Sequence, residues 1–81
     1  MQLNEEISAR WKRTLRAEFD GEISAAEAAS MYRGFADEDE ARAADPNGDV
    51  FARGVAIGHA QAWRSIATLT EDREATIAVA A

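Results

Sequence analysis

The chain has 81 residues, 47% of them hydrophobic and 30% charged, with a formal net charge of −6 and no cysteine. That length holds one domain, 1–81, and the composition excludes a disordered chain, a disulfide framework and a thiolate metal site. Nineteen alanines favour helix, so the expected fold is all-α: a compact bundle of four to five helices around a long central helix at about residues 50–69.

The first helix is expected over residues 5–19. Asn4 suits its N-cap, Glu5 and Glu6 suit the positive end of its dipole, and Ile7, Trp11, Leu15 and Phe19 recur every four residues. Four exceeds 3.6, so this stripe drifts around the helix and predicts an oblique crossing over a neighbour. Asp20-Gly21 ends the helix, since glycine readily takes the left-handed conformation of a helix C-terminus. Ser24-Ala25-Ala26-Glu27 is a capping box that starts the second helix, with Ala28, Met31, Tyr32 and Phe35 on its apolar side. Gly34 weakens that helix, and a break near Gly34–Asp37 is expected. Residues 37–44 then form a separate helical segment, with Asp37 as cap and Glu40 at the capping-box position, or else continue the second helix through Ala44.

"DPNGD" reads as a type I turn: Asp45 at its first position, Pro46 at the second, Gly48 at the fourth. Asp49 then caps the long helix. On a helical projection Phe51, Val55, Ala62, Ile66 and Leu69 form one stripe, expected to face the core. Val50, Gly54, Ile57, Gly58 and Gln61 form an adjacent, smoother face. After Leu69, Thr70 suits the cap of a last helix over 71–81, a segment that also reads as a short strand or a frayed tail.

Two interior glycines one turn apart each cost a helix roughly 1 kcal/mol against alanine. Gly54 and Gly58 therefore predict a close approach to their face, either by the first or second helix of the same molecule or by a second copy. In the second case Gly54, Ile57, Gly58 and Gln61 form a homodimer interface about a two-fold axis.

Charge is unevenly placed. Residues 1–16 carry +2, residues 17–49 carry −8 and residues 50–81 carry 0. An acidic block repels nucleic acid and anionic lipid and steers basic surfaces toward itself. The N-terminus, "MQLNEEISARW", lacks the positive start of a signal peptide, and no apolar run approaches the roughly 18 residues of a spanning helix. A cytoplasmic setting without membrane attachment is expected.

Site chemistry is sparse. His59 is the only histidine, with Val55 and Trp63 one turn to either side, and reads as a partly buried structural residue. An EF-hand loop aligned on Gly48 would place Ala43 and Gly54 where ligating carboxylates belong, so no metal is expected. The sequence has no Gly-rich phosphate loop and no serine–histidine–carboxylate set, and neither enzyme activity nor a cofactor is expected.

The function read from these features is a non-enzymatic acidic interaction module, in which Asp37, Glu38, Asp39, Glu40, Asp45 and Asp49 dock on a basic protein partner. One concrete form is an inhibitor or adaptor on the basic surface of a nucleic-acid-handling protein. Phage-encoded antagonists such as anti-CRISPR proteins offer a parallel in size and charge alone. The alternative is a homodimeric structural or regulatory helical protein. Weaker still is a DNA-binding regulator using Arg10, Lys12, Arg13 and Arg16, because a recognition helix at 50–64 offers only Arg53, Gln61 and Arg64 as long polar side chains.

Overall fold

The structure, a computed structural model, describes the backbone of residues 2–80 and the side chains of residues 7–77. Among the described residues the chain forms three helices and no strand: α1 (Gln2–Phe19), α2 (Ala25–Ala43) and α3 (Val50–Ala80). The all-helical class is as expected, but the bundle of four to five helices is not. Two anticipated breaks do not occur.

The first missing break is at Gly34–Asp37, where α2 runs on continuously. Gly34 is exposed, and a Cβ there would meet nothing within 4 Å, so the glycine weakens the helix without any packing demand to bend it. Asp37 and Glu40 turn outward to Arg64 instead of capping. The second is at Thr70, which lies inside α3. Its hydroxyl donates back to the Ile66 carbonyl at 2.9 Å, satisfying itself within the helix. No glycine or proline interrupts residues 59–80, so the last segment simply extends the long helix. α1 likewise starts earlier than expected, at Gln2, which places Asn4 within the helix; the side chains of Asn4, Glu5 and Glu6 lie outside the described residues.

The turn at each connection forms as the sequence predicts. Gly21 adopts a φ of 78°, the Glu22 N–H donates to the Ala17 carbonyl at 2.9 Å and the Gly21 N–H to that of Glu18 at 3.1 Å. This paired arrangement closes the end of α1. Ser24 and Glu27 complete the capping box, with the Glu27 N–H donating to Ser24 Oγ at 3.0 Å and the Ser24 N–H to Glu27 Oε1 at 3.1 Å. At the second connection the Gly48 N–H donates to the Asp45 carbonyl at 3.1 Å and the Asn47 N–H to Asp45 Oδ1 at 3.0 Å. A Cβ at Gly48 would lie 3.2 Å from both Arg53 Cγ and the Asp45 carbonyl, a tight fit that glycine avoids.

α2 and α3 pack as an antiparallel hairpin along most of their length, while α1 touches them far less. The seam between α2 and α3 is a heptad on both sides. Ala25, Ala29, Tyr32, Ala36 and Asp39 are buried on α2, and Ala56, Ala60, Trp63, Ala67 and Thr70 on α3, each set spaced four, three, four and three. Alanine at most of these positions lets the two backbones approach closely. Tyr32 and Trp63 fill the middle, stacked with ring centroids 5.8 Å apart and planes 12° apart, and Phe35 closes on Trp63 at 5.0 Å.

This seam overturns the expected core stripe of α3. Phe51 and Leu69 are 75% and 67% exposed, Ala62 is exposed, and Val55 and Ile66 are half-buried. The buried stripe lies about 120° further round the helix. Close alanine packing captures α3 on its small face and turns the bulky face outward. Of the α1 stripe, Ile7 packs against the core, whereas Phe19, three steps of about 40° further round, is 77% exposed.

Trp63→Ala should therefore cost roughly 3–5 kcal/mol, and Gly34→Ala should gain about 0.5–1 kcal/mol, both read from chemical denaturation. Equal stabilities for wild type and Trp63→Ala would contradict the packing described.

Candidate interaction surfaces

The acidic residues singled out above are gathered near the α2–α3 hairpin, but most are already engaged within the molecule. Arg64 bridges Asp37 at 3.3 Å and Glu40 at 2.6 Å. The hydrogen bond and charge of Glu40, followed by those of Asp37, raise the Arg64 guanidinium above its ordinary pKa. Arg10 reaches from α1 to Glu38 at 3.0 Å, and the same guanidinium lies 5.1 Å over the Phe35 ring. Asp39 is buried, 4% exposed, with Arg42 at 3.4 Å. Asp45 holds the turn, and Asp49 precedes α3, its carbonyl accepting the Arg53 N–H at 2.9 Å. Four of the six acids thus lie within reach of an arginine of the same chain.

The glycine face lies elsewhere. Gly54, Ile57, Gly58 and Gln61 are exposed, and a Cβ at either glycine would meet nothing within 4 Å. The expectation that helix one or two crosses the long helix at these glycines is therefore wrong; both helices pack against other sides of α3. His59 is half-buried beside the seam, and among the described residues no cluster of histidine and carboxylates could hold a metal ion.

α1 is attached in part through a polar contact near its C-terminal end. Arg73 of α3 pairs with Glu18 of α1, a carboxylate only 15% exposed in its side chain. Glu18 Oε1 and the Tyr32 hydroxyl are both buried without a hydrogen-bond partner. Burial pushes the Tyr32 phenol above its ordinary pKa of 10.0; the Glu18 charge adds to the rise, and Arg73 and, least, the neighbouring Trp11 oppose it.

Between α1 and α3 runs a groove of about 300 Å³, lined mainly by Trp11, Leu15, Phe19, Ile66, Leu69 and Arg73. It is continuous in helical phase with Val55 and Phe51 further up α3. The sequence singled out these same bulky residues, but as core. Their spacing was visible, and what could not be read was which of two apolar faces α2 would cover. A second groove of about 430 Å³ between α1 and α2 is edged by Arg10, Arg13 and Glu38. Lys12, Arg13 and Arg16 are exposed on α1, with no ion pair among the described residues. Comparison with protein families, curated proteins and solved structures finds no match for this chain.

Tyr32 is the only tyrosine, so alkaline titration of tyrosinate absorbance reads it alone. A raised native pKa means that stability present below pH 10 is lost as pH climbs through the native value. Tyrosinate should form at higher pH in the folded chain than in urea. Tyr32→Phe should change neutral-pH stability by less than about 1 kcal/mol and lessen the alkaline loss. Identical titrations of folded and unfolded chain would refute the buried phenol.

Proposed function

We propose that the protein is a non-enzymatic interaction module whose working surface is the apolar band along α3 and α1. The observation that carries this reading is the exposure of Phe51, Leu69 and Phe19, at 75%, 67% and 77%, in a chain that buries mostly alanine against α2. Contiguous apolar surface on a soluble domain marks a protein or membrane contact. A net charge of −6 favours the protein, because anionic lipid would be repelled. Among the described residues no helix is long and apolar enough to cross a membrane. A cytoplasmic setting suits a chain without cysteine.

A second reading keeps the acidic residues as the contact, with the protein acting as inhibitor or adaptor on the basic surface of a nucleic-acid-handling protein. It is supported by the side chains of Asp37, Glu38 and Glu40, which stay 72%, 58% and 54% exposed despite their ion pairs. A basic partner would have to displace Arg64 and Arg10, which makes this the less favourable docking face.

The two readings separate in one affinity capture from host lysate with an untagged copy of the chain added as prey. Leu69→Asp should abolish specific capture, and Asp37→Asn with Glu40→Gln should leave it intact. Capture that survives Leu69→Asp and is lost on neutralising the acids, or released by salt alone, would transfer the contact to the acidic face.

A further inference from the structure

The connection between α2 and α3 holds a pair of neighbours whose chemistry the proposed function leaves unused. Asn47 is followed by Gly48, whereas the chain's other asparagine, Asn4, is followed by glutamate. The backbone nitrogen that follows an asparagine lies within bonding reach of its side-chain carbonyl carbon. What ordinarily restrains the attack is the bulk of the next side chain and a rigid backbone. Gly48 supplies no bulk. Asn47 is exposed and outside both helices, and among the described residues its hydrogen bond runs from the backbone N–H to Asp45 Oδ1 at 3.0 Å, which leaves the carboxamide unengaged.

Asp20-Gly21 is the nearest rival, because an aspartate can close the same ring. Its carboxylate is a far poorer electrophile than a carboxamide, and its backbone belongs to the end of a helix. The Asp20 N–H donates to the Arg16 carbonyl at 2.9 Å, and the Gly21 and Glu22 N–H groups close the last turn of α1. Residues 46–48 have less to hold them. Among the described residues their two backbone hydrogen bonds both end on Asp45, from the Gly48 N–H to its carbonyl at 3.1 Å and from the Asn47 N–H to its carboxylate. The first of these occupies the attacking nitrogen. A local opening must break it, and an exposed connection with so few hydrogen bonds opens far more readily than the α2–α3 seam.

We infer that Asn47-Gly48 is a site of spontaneous succinimide formation, and that Asp45 is the brake that sets its rate in the folded chain. The Gly48 nitrogen attacks the Asn47 side-chain carbonyl carbon and forms the ring C–N bond. The carboxamide C–N bond breaks, and its nitrogen leaves as ammonia with the proton that Gly48 gives up. Water then opens the ring. Cleavage between the Gly48 nitrogen and the side-chain carbonyl gives aspartate, and cleavage at the backbone carbonyl gives isoaspartate. Either product adds a negative charge to a connection that already carries Asp45 and Asp49. Isoaspartate also inserts a methylene into the backbone of the turn. Arg53 carries that change to α2, because its stem lies against Gly48 and its Nε donates to the Ala43 carbonyl at 2.8 Å.

Incubation of the full chain in mildly alkaline buffer, followed by peptide mass mapping with chromatographic separation of isoaspartate, tests this. The folded chain should accumulate aspartate and isoaspartate at residue 47 while Asp20 stays unchanged. In urea, where the turn is open, conversion at residue 47 should be faster. Asp45→Ala keeps the carbonyl but removes the carboxylate that fixes Asn47, so it should speed conversion in buffer and leave the rate in urea unchanged. Asn47→Gln should abolish ammonia release, because its longer side chain must close a larger ring. Circular dichroism checks that both variants keep wild-type helicity. A folded chain that stays unmodified while the urea sample converts would overturn the site, as would isoaspartate at residue 20 in place of 47. Equal rates in buffer and urea, or an Asp45→Ala chain that converts no faster than wild type when folded, would overturn the role of Asp45 and the inference with it.

Discussion

Close approach of α2 and α3 through alanine is the constraint on which the rest of the molecule depends. Ala28, Ala29 and Ala36 on one helix face Ala60 and Ala67 on the other, and this small-residue seam has room for one stacked aromatic pair, Tyr32 on Trp63. Alanine loses little side-chain entropy on burial and permits dense backbone contact, but each buries little apolar area. The hairpin is therefore held by fit along its length, with Trp63 and Tyr32 as the large fully buried side chains in its centre.

Two consequences follow from choosing that seam. The bulky apolar residues of α3, which lie about 120° away, are left facing outward beside α1. α1 itself then has little of the core to join, and it is held by Ile7 against the aromatic cluster and by the arginine bridges Arg10–Glu38 and Arg73–Glu18. The exposed Arg10–Glu38 pair contributes at most about 1 kcal/mol, and the largely buried Glu18 carboxylate, paired with Arg73, leaves one oxygen unpartnered. The molecule is thus a firm hairpin with a more loosely attached first helix, 49 Å long and 20 by 16 Å across, a shape set by the length of α3.

Much of this was readable in the sequence wherever the signal was a specific backbone device. The capping box at Ser24–Glu27, the left-handed Gly21 and the Asp45–Gly48 turn each solve a local hydrogen-bonding problem, and tertiary packing had no reason to override them. Breaks inferred from weaker signals failed. Gly34 costs helix stability without forbidding helix, and Thr70 satisfies its hydroxyl against its own helix. The core of α3 was misplaced because apolar periodicity weighs residues by size: Phe51, Val55, Ile66 and Leu69 outweigh Ala56, Ala60 and Ala67. The heptad of alanines on α2 was equally visible, and matching it to the alanine heptad on α3 would have chosen the correct face. The acidic run was readable as charge but not as ion pairs, since Arg10 and Arg64, which meet Glu38 and Glu40, lie 28 and 24 residues away in the chain.

The central claim is that the alanine seam between α2 and α3 is the stable unit and that α1 rests on it. Amide hydrogen exchange resolved by residue, on protein dilute enough to be a single chain, tests this directly. The account predicts that amides on the seam, around Tyr32, Ala36, Ala60 and Trp63, exchange only by global unfolding, while those of α1 exchange earlier through an opening that leaves the hairpin intact. Equal protection across all three helices, or protection greatest in α1, would contradict it.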